Sequence, residues 1–476
     1  MIPLVEAAPR DRVALLEPER GRTVTYGDLV ALVDTAADRL LAATDRRALV
    51  FLAPSTDVGG VVWYLACLRA GCPVALLEPS AEALSPVVEA YGPDLLVLPE
   101  ALEPPAGYVR VPGGDDEDAY RVWRAVRAAA APALHPELAA LLTTSGSTGN
   151  PKLVRLTAAN LASNAMAIRE YLALDGAERA IQSLPMHYAY GLSVLNSHLA
   201  AGASLVLTPH SFMRPEFWRS VDEMGCTSFA GVPYMYQTLH RLRFNPAKHP
   251  GLRTFTQAGG ALRLDLTAHF RDVTAAAGAR FFVMYGQTEA TARISYVPPL
   301  RLVDKIGSIG VAIPGGALSL RPVDGSDGME EIVYQGPNVM LGYAESAADL
   351  ALGDVQQGLL ATGDLGRVDA DGFYSVVGRL KRFAKLFGRR VNLEDIERFV
   401  EARAPVNAAA VDGGDQVILY VASDREVAPE PIVGQVARFL GVPPKAVALR
   451  AIDAIPMTVA GKKNYKALEG LERVAS

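Results

Sequence analysis

Between Leu141 and Lys152 the chain reads LLTTSGSTGNPK, an apolar strand end that runs into small hydroxyls and glycines and closes on a lysine. Gly146 and Gly149 let backbone N–H groups come close to an anion. Thr144, Ser145, Ser147 and Thr148 add hydroxyl donors, and Lys152 supplies a point charge suited to terminal phosphates. The string is not a kinase- or GTPase-type P-loop, which needs Gly-Lys followed at once by Ser or Thr. Here Asn150 and Pro151 separate Gly149 from Lys152. Holding a polyphosphate is the chemistry this loop can do.

The elements around it read as alternating strand and helix. RALVFLA (47–53) is a buried-strand run, GGVVWYLACLRAG has helical spacing and stops at Gly71, and PVALLEP follows as a second strand. That order implies a parallel sheet with crossover helices. It recurs where VLNSHLAAG gives way to SLVLTP and again in TAAAGARFFVMYG. Residues 101–136 read as a surface loop carrying the acidic cluster Asp115–Asp118, followed by an Ala-rich helix. From Ala180 to Met213 there is no Asp, Glu, Lys or Arg, yet Gln182, Pro185, Gly191, Asn196 and Gly202 punctuate the stretch, so it reads as buried strand, loop, helix and strand. Near Gly378 the character changes. The charged run Arg379–Lys385 reads as a solvated linker, NLEDIERFVEARAP as an amphipathic helix, and NAAAVDGGDQVILYVAS as a hairpin turning at Gly413-Gly414. PIVGQVARFLG gives a further helix and VALRAID a further strand. The expectation is an α/β chain: a large N-terminal domain of parallel and mixed sheets with helices (1–378) and a small α+β domain (379–476).

The 476 residues carry 46 Lys and Arg against 52 Asp and Glu, a formal charge of −6. That balance argues against nucleic acid as a partner. Cys67, Cys72 and Cys226 fit neither a disulfide framework nor a zinc site and read as small buried apolar residues. An amino terminus without a signal-like apolar core, and no membrane span, lead to the expectation of a soluble, cytoplasmic protein.

The string TSGSTGNPK resembles the phosphate loop of the adenylate-forming superfamily: acyl- and aryl-CoA synthetases, nonribosomal adenylation domains and luciferases. The resemblance continues in order through LPMHYAYG (184–191), QAGGAL (257–262), MYGQTEA (284–290), GPNVMLGY (336–343), TGDLGRVDADGFYSVVGR (362–379) and PMTVAGKKNYKAL (456–468). It implies that ATP, Mg²⁺ and a small carboxylic acid give an acyl-adenylate and pyrophosphate. A thiol, of coenzyme A or of a carrier protein's phosphopantetheine, then takes the acyl group. It further implies that Thr144, Ser145, Gly146, Ser147, Thr148, Gly149 and Lys152 hold the β- and γ-phosphates. Tyr285 and Gly286 would flank the adenine, with Gly259 and Gly260 close to the base. Thr288 would meet the α-phosphate and Glu289 the Mg²⁺. Asp364 would take the ribose hydroxyls, as one carboxylate accepts two hydrogen bonds, and Arg379 the ribose or α-phosphate. Lys462 would be the adenylation lysine, Lys381 the hinge and Gly388 part of a thiol tunnel, with the neighbouring Lys463 and Lys466 solvated. Asp369 and Asp371 read as turn residues.

The chain departs from that pattern at two places. Leu153 follows Lys152 where a glycine is common, and the substrate-side loop has His187 then Tyr188 where an aromatic usually precedes His. Either residue could close the carboxylate pocket, with Ala230, Gly231 and Val232 as its wall. No Asp stands in that loop to pair an α-ammonium, so an aryl or aliphatic acid without an amino group is expected. An amino-acid adenylating protein, a luciferase-like oxygenase, activation of an unusual acid and a non-catalytic nucleotide binder are the alternatives.

Overall fold

The structure, a computed structural model, describes residues 5, 8–112, 119–126, 132–143, 152–323, 328–380, 382–386, 389–404, 406–414, 416–423, 429–457 and 463–475. The chain packs as two units, residues 1–318 with 334–360, and residues 319–333 with 361–476.

The first unit is built on two large sheets. In one, Arg280–Tyr285, Thr254–Gln257, Ser228–Gly231, Arg179–Ile181, Ser204–Val206 and Val13–Glu17 run parallel side by side, with antiparallel strands at both edges. In the other, Leu138–Thr143, Val74–Leu76, Val50–Leu52 and Leu95–Pro99 are parallel, and Leu153–Thr157 and Gly342–Ala344 extend one side antiparallel. The apolar runs become strands buried on both faces, as Val50–Leu52 and Val74–Leu76 show. The connecting helices start on side-chain caps: Asp57 for Val58–Arg69 and Thr157 for Ala158–Leu172. The uncharged stretch folds as expected, into strand Arg179–Ile181, helix Ala189–Ala200 and strand Ser204–Val206. Among the described residues no helix is long and apolar enough to cross a membrane. The three cysteines are free thiols and buried.

The alanine-rich run 127–131, the place of the expected Ala-rich helix, lies outside the described residues. Just before it, Tyr120–Ala125 is a strand paired antiparallel with Leu95–Pro99. The alternation of buried Tyr120 and Val122 with more accessible Arg121 and Trp123 is the period-2 signal that alanine content masked.

The second unit carries a sheet of Ala317–Pro322, Glu330–Gln335, Leu359–Val368 and Tyr374–Arg379. After it come a hairpin, Phe383–Leu386 with Arg389–Asn392, and a sheet of Asn407–Asp412, Val417–Ala422 and Val447–Ala451. Helices Leu393–Glu401, Pro429–Leu440 and Tyr465–Ala475 complete it. Residues 361–379 group with the carboxy-terminal residues. Asn392 Nδ2 (3.1 Å) and Arg398 Nη2 (2.8 Å) both donate to the Val377 carbonyl within that grouping.

Lys463 and Arg382, both expected in solvent, are instead held against one buried carboxylate in this unit. Glu397, 4% exposed, accepts from Lys463 Nζ at 2.8 Å and pairs with Arg382, while Lys463 also reaches Glu401 at 3.0 Å. Burial alone would lower the Lys463 pKa, but the two carboxylates outweigh it and hold it above its ordinary value.

Candidate active site

Lys152 immediately precedes strand Leu153–Thr157, whose antiparallel partner Gly342–Ala344 sets Tyr343 opposite Val154. That register brings Lys152 Nζ to 3.5 Å from the centre of the Tyr343 ring and 3.2 Å from Glu345 Oε1. Glu345 is largely exposed, so the ion pair stabilises little. The cation over the ring is the better-defined contact. Arg155, fully buried in the same strand, fixes the far side. Its guanidinium donates to the carbonyls of Tyr343 (3.2 Å), Gly353 (3.2 Å) and Leu352, so the Tyr343 backbone is anchored by a charge placed inside an apolar strand.

The Tyr343 hydroxyl donates to Glu289 Oε1 at 2.7 Å. Burial, and then the Glu289 carboxylate, raises the Tyr343 pKa, so the ring stays protonated and remains a donor. Glu289 sits on the short turn Thr288–Ala290 that follows strand Arg280–Tyr285. The chain doubles back sharply there: a Cβ on Gly286 would overlap the Ala292 carbonyl, so only glycine fits. Thr291 is held at φ +62, a conformation a β-branched residue rarely adopts. Asn338 holds the turn in place. Its Nδ2 donates to the carbonyls of Ala290 (2.8 Å) and Arg293 (2.9 Å), its Oδ1 accepts from Tyr334, and its own carbonyl accepts from Thr291 Oγ1 at 2.7 Å. A lone, hydrogen-bonded carboxylate of this kind suits Mg²⁺, which is commonly held by one or two carboxylates plus substrate phosphates.

A third part gathers the expected base loop and gate. Gln257, at the end of strand Thr254–Gln257, donates to the Gly260 carbonyl at 2.8 Å and closes the loop. Gly259 has φ +87, and a Cβ there would lie 2.5 Å from Tyr188 Oη and 3.1 Å from Val232 Cγ1, so these three positions adjoin. Ala230 and Gly231 lie in strand Ser228–Gly231, which leads into Val232. His187 is a different kind of residue: among the described residues neither ring nitrogen has a partner, and burial lowers its pKa to about 4. Beside it, Tyr190 is bonded to Thr256 and lies 3.9 Å below the Arg293 guanidinium.

In the second unit Asp364 and Arg379 face each other across an antiparallel ladder, Nε to Oδ1 2.7 Å, with Asp364 buried and Arg379 half-exposed. Asp369 accepts from the Asp371 and Phe373 amides, which makes the DADG segment a turn. Thr144, Ser145, Gly146, Ser147, Thr148, Gly149, Lys381, Gly388 and Lys462 lie outside the described residues. Tyr285 and Thr288 stand on either side of Gly286, and Gln287 donates to the Tyr285 hydroxyl at 3.2 Å. Sequence reasoning gives Asn338 and Tyr343 of GPNVMLGY no role of their own and passes over Arg155 and Arg293. A charge inside the apolar strand LVRLT is the available signal for Arg155.

Residues 5–344 match the family model described as AMP-binding enzyme. A feruloyl-CoA synthase of Amycolatopsis sp is 32% identical over 319 residues, covering 64% of this chain and 59% of that protein. The non-ribosomal peptide synthetase CmlP of Streptomyces venezuelae is 27% identical over 95% of this chain and 47% of its own length. The chain thus spans between about half and three fifths of these curated relatives. Among solved structures, ATP-bound MatB from Rhodopseudomonas palustris superposes with TM-score 0.79 at 24% identity, covering 98% of this chain and 97% of that one. The o-succinylbenzoate-CoA synthetase MenE of Bacillus subtilis, in complex with its acyl-adenylate, gives 0.75 at 22%, covering 95% and 94%. The two-domain α/β fold is the one those enzymes share, and the matched family model places this chain among the AMP-binding enzymes of the adenylate-forming superfamily.

Proposed function

We propose that the protein is an AMP-forming ligase that joins a carboxylic acid to the α-phosphate of ATP, releases pyrophosphate and passes the acyl group to a thiol. The observation that carries this reading is the Tyr343 bridge. It holds the phosphate-loop lysine, Lys152, against one ring face and the carboxylate of Glu289 on its hydroxyl, so one side chain spaces a phosphate-binding cation from a metal-binding anion. ATP phosphates would displace exposed Glu345 from Lys152 and lie along the loop 144–149. Glu289 would hold Mg²⁺, which offsets charge on the phosphate oxygens when bound. Lys462 would neutralise the incoming carboxylate and the α-phosphate as they approach. Asp364 would take the ribose hydroxyls, with Arg379 already aligned beside it. Tyr188, seated on Gly259, would border acid and base together, and His187 would stay neutral there.

The acid expected is an aryl or aliphatic one without an α-ammonium, since the segment His187–Tyr190 has no carboxylate. The thiol belongs to coenzyme A or to a carrier protein, with Lys381 as hinge, Gly388 at the tunnel and 379–476 as the moving segment. The second reading, amino-acid adenylation, is favoured by one fact: CmlP aligns over 95% of this chain, against 64% for the feruloyl-CoA synthase. ATP–pyrophosphate exchange over a panel of amino and non-amino acids separates the two. Exchange with a non-amino acid supports the proposal, exchange with amino acids alone supports the second reading, and exchange with neither ends both.

A further inference from the structure

Arg293 is 3% exposed, yet among the described residues no Asp or Glu pairs with it. Its guanidinium stacks on Tyr190 and leaves its Nε–H without an acceptor among the described residues. Burying a cation without an anionic partner costs several kcal/mol, and such a charge is retained where something compensates it. Here the ring face compensates only part, because it carries no formal negative charge. Arg293 also lines a narrow cavity under helix Ala189–Ala200. The cavity is shared with Ser193, Ser197, Thr256, Met284 and Ala230, the last being a residue of the expected substrate wall. Ala230 thus links this cavity to the wall expected for the acid, and Arg293 is one of its lining residues.

We infer that Arg293 binds a second anionic group on the acid, so that the substrate is a short dicarboxylic or otherwise dianionic acid. This rests on the acid-activating function proposed above. One carboxylate would face the ATP α-phosphate, and the other would enter the cavity and pair with the planar donor edge of Arg293, a geometry that guanidinium and carboxylate match in two hydrogen bonds. The stacking on Tyr190 pre-orients the guanidinium, so little side-chain freedom is lost on binding. Narrowness favours a short spacer between the two acid groups. A guanidinium in that place also repels an α-ammonium, which adds to the case against amino acids.

The test is ATP–pyrophosphate exchange with matched pairs, pentanoate against glutarate and benzoate against isophthalate, on the wild-type protein and on Arg293→Met and Arg293→Lys. The wild type should favour at least one diacid over its monoacid partner by about 10²- to 10⁴-fold in kcat/KM, the scale for leaving a buried charge unpaired. Arg293→Met should collapse that preference by raising the diacid KM while monoacid turnover holds or rises, and Arg293→Lys should keep part of it. A wild type that prefers the monoacids overturns the inference and leaves the ligase reading intact. So does an Arg293→Met whose losses are equal for all acids, or appear only in the KM for ATP. Exchange with no acid of any kind overturns both. If Arg293→Met does not fold, the wild-type selectivity and the Arg293→Lys variant decide alone.

Discussion

Replacing Asn338 by leucine keeps the side-chain volume and removes every hydrogen bond its amide makes. The two carbonyls it serves are not left bare: Ala290 O still accepts from Ala292 N at 2.8 Å, and Arg293 O from Asn164 Nδ2 at 3.1 Å. The Tyr334 hydroxyl loses its acceptor outright in a buried setting. At about 1 kcal/mol for each half-satisfied carbonyl and 1–2 kcal/mol for the orphaned hydroxyl, the loss is about 3–4 kcal/mol. Urea unfolding measures it. Asn338→Asp should cost more, because a carboxylate would face two carbonyl oxygens, whereas Tyr334→Phe should cost about 1 kcal/mol since only one bond goes. The turn that carries Glu289 would also loosen, because the Asn338 side chain no longer holds the Ala290 and Arg293 carbonyls that bracket it. The Mg²⁺ concentration for half-maximal exchange should therefore rise. A leucine variant within 1 kcal/mol of wild type and with unchanged Mg²⁺ dependence would refute the clamp.

Three other outcomes are expected from the geometry. Gly259→Ala forces a left-handed backbone and a 2.5 Å approach to Tyr188 Oη, so pyrophosphate exchange should show a raised KM for the acid; an unchanged KM would separate Tyr188 from the acid site. His187, lowered to about 4 by burial from 6.5, is neutral in the folded state while the unfolded chain takes up a proton below pH 6.5. Its contribution is complete above pH 6.5 and lost as pH falls toward 4, up to about 3 kcal/mol. His187→Gln should flatten that part of the pH–stability curve, and a parallel curve would contradict the burial argument. Glu397→Gln leaves Arg382 and Lys463 without their shared carboxylate, so thermal unfolding should show a loss of about 3 kcal/mol, with little change meaning that the remaining Glu401 suffices.

The alternation of strand and helix was legible because a parallel strand buried on both faces must be apolar throughout, and 47–53 and PVALLEP are. The strand at Tyr120–Ala125 was hidden because its period-2 pattern is carried by Tyr, Val and Trp between arginines, within an alanine-rich stretch. The candidate residues on Gly-rich turns stand out in the sequence because their types are chemically restrictive: glycine at 286 and 259, where the structure shows a close approach and a positive φ, and carboxylate at 289. Asn338, Tyr343 and Arg155 were not, since their work is to position others and depends on which distant carbonyls the fold delivers. Arg293 and Lys463 make the same point about charge. A lysine and an arginine in a polar string look alike in sequence, and only the packing tells which is buried and against what. The packing division at 318, 333 and 360 was equally unreadable, because it depends on the sheet that joins residues distant along the chain.

If Lys462 serves adenylation and not thioester formation, single-turnover assays of the two half-reactions on Lys462→Ala will separate them. Acyl-adenylate formation should slow by on the order of 10²- to 10³-fold, with thiol acylation from pre-formed acyl-adenylate at the wild-type rate. Acyl-adenylate formed at the wild-type rate, or both half-reactions falling together, would contradict that role.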